Sequence, residues 1–188
     1  EIELPVSVIL SKMEKRGLSI HWEKLTTLKE DLEEEIDKVQ KEIYDIVGHE
    51  FNVNSPKQLS DILFRELDLP NKSKGSTRES VLDGMLGIHP IIEQLLYFRE
   101  ITKVLNTYIQ PLFENSIVKE EGIHSIHTDF KQTGTTSGRF SSINPNLQNL
   151  PLEGVWAKRL RECFVPRKGF KRNATRQKWY SRCPLWQW

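Results

Sequence analysis

The chain has 188 residues and a mass of 22.0 kDa, with 37% hydrophobic residues, 28% charged residues and a formal net charge of +1. That is enough for one ordinary domain, or one domain and part of a second, and its Phe, Trp and Tyr supply bulk for a core, which excludes global disorder. No run approaches the roughly 20 apolar residues of a membrane helix, and residues 1–17 lack a basic leader with a cleavage site, so a cytoplasmic protein with no membrane partner is expected.

The small net charge hides a polarity along the chain. Residues 23–50 hold ten acids against four bases, and residues 157–182 hold ten bases against one acid, so the two regions face different surroundings. An acidic helix is ordinarily a solvated face, whereas a basic run points to nucleic acid or to disorder. Cys163 and Cys183 are not in a C-x-x-C pattern and read as free thiols.

In chain order, apolar Leu4, Val6, Val8, Ile9, Leu10 and Met13 predict a short, well-buried helix with Pro5 in its first turn and Gly17 as its stop. A brief extended stretch at 18–20 follows. Trp22 opens a long helix whose stripe of Leu25, Leu28, Leu32, Ile36, Val39, Ile43, Ile46 and Val47 ends at Gly48, a C-cap candidate. Asn54 or Ser55 can cap a helix with Pro56 at its first position and Leu59, Ile62, Leu63 and Leu67 on its buried side. The Lys-, Ser- and Gly-rich residues 71–77 read as an exposed loop, with Lys72, Lys74 and Arg78 on or beside it. A helix over 80–86 and a longer helical pattern over 91–109 follow, the latter with Ile92, Leu95, Leu96, Ile101, Leu105 and Tyr108 as core candidates.

After Pro111 the texture changes to short strand-like pieces, such as residues 123–130, between Gly-, Ser- and Asn-rich segments, and a boundary falls within 114–122. The fold class is therefore mainly α with a small α+β part. The most distinctive text is residues 133–151, TGTTSGRFSSINPNLQNLP, a loop dense in small hydroxyl and amide side chains with one Arg. Such side chains can bond phosphate, sugar and minor-groove acceptors without demanding one base sequence. On composition alone, a surface loop that satisfies its own turns is the reading favoured. A phosphate-binding P-loop is excluded, because the G-x-x-x-x-G-K-[ST] spacing is absent.

Residues 133–151 resemble the signature at the thumb–palm junction of family A DNA polymerases, the bacterial polymerase I-like family. The resemblance continues upstream in register through residues 97–103, 107–112, 51–55, Ser76-Thr77 and 4–17, and covers about residues 1–170. It implies a helical thumb over 1–113 and an incomplete palm with short strands over 114–171. It also implies that Arg139, Asn146, Gln148 and Asn149 contact the minor groove and the sugar-phosphate backbone near the primer terminus. Arg99 and Lys103 match thumb positions that meet the DNA backbone, and Lys72, Lys74, Ser76 and Thr77 match the mobile thumb tip. The implied function is that of a DNA-directed DNA polymerase in replication and repair, with primer–template DNA as partner and no obligate protein partner. The different-class alternative is a non-enzymatic helical module whose acidic helix docks a protein.

Polymerase chemistry uses two divalent metals held by carboxylates. The resemblance places the first of these in an Asp-Tyr-Ser-Gln-Ile-Glu-like motif soon after Phe164-Val165-Pro166, yet no acid follows Glu162 in this chain. Magnesium is thus a cofactor of the full-length family and no cofactor is expected here, so binding without catalysis is the expectation. Residues 172–188, which hold three of the five Trp, read as neither palm nor periodic element. A frameshift, a chimeric join or a genuine basic, aromatic terminus would each give such text, and poor order is expected of it. His124 and His127 lie on opposite faces of a strand, with no Cys or third His near, so they do not read as a metal site.

Overall fold

The computed structural model of the chain describes residues 3–70, 74–151 and 153–166. The chain divides into two compact units, one formed by Glu1–Glu30 with Val104–Trp188 and the other by Asp31–Lys103. These follow contacts rather than chain order, so their limits differ from a division at residue 113.

In the first unit, helix α1 (Glu3–Arg16) leads through Gly17 into strand β1 (Leu18–His21). Gly17 sits at φ +63°, and a Cβ there would lie 2.7 Å from both His127 Cε1 and Ser125 Oγ, so the turn needs glycine for its backbone and for its space. β1 pairs antiparallel with β3 (Ile123–Ile126), and β3 pairs with β2 (Ser116–Glu120), giving the order β1-β3-β2. Leu18 and Ile126, which face each other across the ladder, are both buried. Helix α2 (Trp22–Val47) starts at the edge of this sheet, where the Trp22 N–H donates to Gly122 O at 2.9 Å. The Trp22 ring stacks on His124 at 3.8 Å and meets Phe113 of α6 (Gln110–Glu114) at 4.6 Å.

The expectation that α1 is well buried is corrected. Leu10 and Met13 are buried, whereas Leu4, Val8 and Ile9 are exposed, so only part of the apolar content of this helix is covered. The piece at 123–130 is also corrected, to β3 and a separate β4 (Asp129–Lys131) that pairs with β5 (Ser141–Ile143) in a two-stranded sheet. The break falls at His127 and Thr128: the His127 ring spans from Ser125 Oγ on β3 (2.8 Å) to Glu14 O (2.6 Å), and the Thr128 hydroxyl turns to the carbonyls of Ile143 and Pro145.

The second unit carries the rest of α2, which ends at Gly48 (φ +88°), with the Gly48 N–H donating to Tyr44 O at 2.7 Å. Helix α3 (Pro56–Asp61) is capped by Ser55, whose side chain accepts from the Gln58 N–H, and it widens into a π-helical turn at Ile62–Glu66. Leu59, Ile62 and Leu63 are buried as expected, each such side chain contributing about 2 kcal/mol, and Leu69 joins them. Helix α4 (Glu79–Asp83) is shorter than the sequence pattern, because from its C-cap at Gly84 the chain continues as turns through residue 88. Helix α5 (Pro90–Lys103) buries Ile91, Ile92, Leu95, Phe98 and Ile101. The single helix expected over 91–109 changes to a π-helical stretch at Val104–Ile109 in the first unit. A π-turn closes i to i+5 bonds, so the buried positions become Val104 and Ile109, five apart, in place of Leu105 and Tyr108.

Candidate nucleic-acid interface

Residues 128–150 form the first candidate surface. β4 and β5 pair with Asp129 opposite Ile143 and Lys131 opposite Ser141, and the connecting loop carries Arg139. Gly138 (φ +70°) lets the loop reverse, its N–H donating to Thr135 O at 3.3 Å, and the Thr135 hydroxyl donates to Arg139 O at 2.7 Å. At Gly134 a Cβ would collide with Ser141 Oγ, so the loop passes against β5 too closely for any side chain. Arg139 itself is exposed.

Past β5 the fold is fastened from beneath. The buried Thr128 hydroxyl lies 2.7 Å from Pro145 O and 2.9 Å from Ile143 O and shares its one proton between them. The Asn144 Nδ2 donates to Asp129 Oδ2 at 3.1 Å. Leu147 and Leu150 are buried anchors, which leaves Asn146 and Asn149 exposed and Gln148 half-buried beside them. The alternation is the physical content of the segment: apolar residues hold it down and amide side chains face out.

The second candidate surface lies in the other unit, where Pro56, Gly75, Ser76, Thr77, Arg78 and Arg99 line an open pocket of about 450 Å³. Arg99, on α5, donates Nη1 to the carbonyl of buried Thr77 at 2.5 Å. Partial burial lowers the Arg99 pKa while the Glu79 charge raises it, and the guanidinium stays charged. Ser76, Thr77 and Arg99 are thus brought together. Lys103 and Lys74 are exposed but do not line the pocket, and Lys72 lies outside the described residues. Arg78 was noted in the sequence only as a loop cation, yet it shares the pocket with Arg99.

Among the described residues no group of three or more His, Cys, Asp or Glu could hold a metal ion. His124 and His127 are used by the fold: His124 Nδ1 lies 3.2 Å from Ser116 Oγ, and His127 Nδ1 lies 2.6 Å from Glu14 O. Cys163, on helix α7 (Val155–Cys163), is a buried free thiol whose pKa burial pushes up to about 11. Cys183 and the remainder of the tail at 172–188 lie outside the described residues. Among the described residues, no helix is long and apolar enough to cross a membrane.

The family model for DNA polymerase family A matches residues 22–177, most of the chain and all of both candidate surfaces. The chain belongs to DNA polymerase family A. It is 38% identical over 176 residues to a thermostable DNA polymerase I of Thermus thermophilus, which covers 90% of this chain and 21% of that protein. It is 39% identical over 170 residues to DNA polymerase I of Lactococcus lactis subsp. cremoris, covering 88% of this chain and 19% of the relative. Among solved structures it is similar to the POL domain of Pol1 from M. smegmatis, solved in complex with DNA primer-template and dNTP. That match has a TM-score of 0.79 and 33% identity, over 91% of this chain and 30% of that one. The chain therefore spans about a fifth of the length of its curated relatives. The helical architecture with short strands agrees with this membership.

Proposed function

We propose that this chain grips primer–template DNA as the helical thumb (1–113) and the first part of the palm (114–171) of a DNA-directed DNA polymerase that acts in replication and repair in the cytoplasm. The observation that carries this reading is the segment from Arg139 to Leu150, in which buried Leu147 and Leu150 pin the backbone, the Arg139, Asn146 and Asn149 side chains are exposed and Gln148 is half-buried. Such groups meet phosphates, sugars and minor-groove acceptors of any sequence, as a polymerase requires. Arg99, Lys103, Lys74, Ser76 and Thr77, with Lys72, supply a second, backbone-directed set. The full-length protein adds nucleotides to a primer 3′ end with magnesium; the described residues of this chain supply the grip.

Binding of a labelled primer–template by the purified chain, measured across a salt series, tests the reading. Affinity should fall steeply with salt, and Arg139→Ala should weaken it roughly tenfold and flatten the slope by about one contact. Salt-independent binding that ignores Arg139→Ala would instead favour a protein-docking module. Primer extension with magnesium and nucleotides should be nil for this chain, and any extension overturns the division between grip and chemistry.

A further inference from the structure

The exposed Asn146 side chain is held in one orientation by groups beneath it. The Gln148 backbone N–H lies 3.1 Å from an Asn146 side-chain atom, and because an N–H can only donate, that atom must be Oδ1. Ser142, buried to 1% exposure, points its hydroxyl at the same oxygen from 3.3 Å. The Ser142 Oγ also accepts the Leu147 N–H at 3.2 Å, which leaves its single proton for Asn146. Both acceptor positions of Oδ1 are thereby occupied from within the protein, and the two Nδ2 hydrogens are left to face outward.

We infer that Ser142 is a positioning residue that fixes Asn146 so that it meets DNA as a hydrogen-bond donor only. This rests on the proposed grip. A donor-only amide suits a non-selective duplex reader, since phosphate and sugar oxygens accept and every A·T or T·A pair presents acceptors in the minor groove. An amide free to flip would present its oxygen half the time, and that oxygen would repel the same acceptors.

A double-mutant cycle in the full chain tests this, with a fluorescein-labelled primer–template hairpin as probe at fixed salt. Ser142→Ala and Asn146→Ala should each weaken binding about fivefold, the size of one hydrogen bond, and the double variant should bind no worse than Asn146→Ala. The thermal destabilisation caused by orphaning the Leu147 N–H should persist in the double variant, so it separates a structural effect from a positioning one. If Ser142→Ala weakens binding equally in the Asn146→Ala background, the inference is overturned and the grip stands. If Asn146→Ala binds like wild type while Arg139→Ala does not, the inference falls together with the place of Asn146 in the site. If Arg139→Ala is also neutral, the grip itself falls. Should Ser142→Ala fail to fold, NMR of the wild-type chain decides: the Asn146 Nδ2 resonances should shift on adding the hairpin while the Gln148 amide stays protected from exchange. Unshifted Nδ2 resonances or an unprotected Gln148 amide overturn the inference.

Discussion

Around residues 139–149 the candidate contact side chains are exposed or, at Gln148, half-buried, and other groups hold the fold, whereas at Arg99 the candidate contact is itself part of the fold. Thr128, Ser142, Leu147 and Leu150 are buried beneath the first surface, and none of them needs to touch a ligand. In the other unit, the Arg99 guanidinium holds the Thr77 carbonyl at 2.5 Å and lines the pocket at the same time. The lesson is that a substitution in the first region can separate binding from stability, and a substitution at Arg99 cannot.

The strongest way to break this contrast is to damage the scaffold of one unit alone. Gly17→Ala places a methyl 2.7 Å from His127 Cε1 and Ser125 Oγ and 2.8 Å from Ile126 O, at a φ of +63° that alanine avoids. The expected loss is about 3 kcal/mol. Hydrogen exchange should show β1 and β3 amides losing protection while those of α5 near Phe98 keep it. Equal loss in both would show that the two units do not hold their stability separately.

Arg99→Ala comes next, because it strips a buried carbonyl of its partner as well as removing a cation. A stability loss of about 1–2 kcal/mol in denaturant unfolding is expected, together with weaker DNA binding. Arg139→Ala is the counterpart: exposed as it is, it should change stability by under about 0.5 kcal/mol while costing affinity roughly tenfold. If Arg99→Ala left stability untouched, or Arg139→Ala lowered it as much as Gly17→Ala, the contrast would be wrong.

The sequence made the scaffold legible where periodicity and capping agreed. Gly17, Gly48, Ser55 and Pro56 punctuate the helices where their chemistry predicts, and the α2 stripe from Leu25 to Ile43 is buried apart from the half-buried Ile36. What was not legible depended on contacts distant in sequence. No local pattern says that 104–109 adopts a π-helical register, which moves burial from Leu105 and Tyr108 to Val104 and Ile109. Nor does any pattern say that the strand-like run breaks at Thr128 because its hydroxyl serves carbonyls fifteen and seventeen residues on. The candidate surface at 133–151 was singled out by its resemblance to the family A signature, since its residue types alone left a self-satisfied loop open, and the roles of Ser142 and Thr128 beneath it required the fold. Arg78 was visible as a cation, but only the pocket couples it with Arg99.

The smallest effect sharpens the contrast by pH, and it belongs to the unit that holds Arg99. His49, just past the end of α2, places Nε2 2.9 Å from Glu66 Oε2 and Nδ1 3.3 Å from Glu50 O. The hydrogen bond to Glu66 first, and then that to the Glu50 carbonyl, raise the His49 pKa above its ordinary value of 6.5. A folded pKa above the unfolded one means that the charged pair stabilises fully below the unfolded value, and that the stabilisation is lost as pH rises through the folded pKa. Both side chains are about half exposed, so the effect on unfolding should be slight. An NMR titration should find the His49 ring with a raised pKa in the native chain and a return toward the ordinary value in Glu66→Gln. A native pKa at or below 6.5 would mean that the pair does not form in solution. In that case the end of α2 would be held by Tyr44, whose hydroxyl donates to Phe51 O at 2.8 Å whatever the charge on His49.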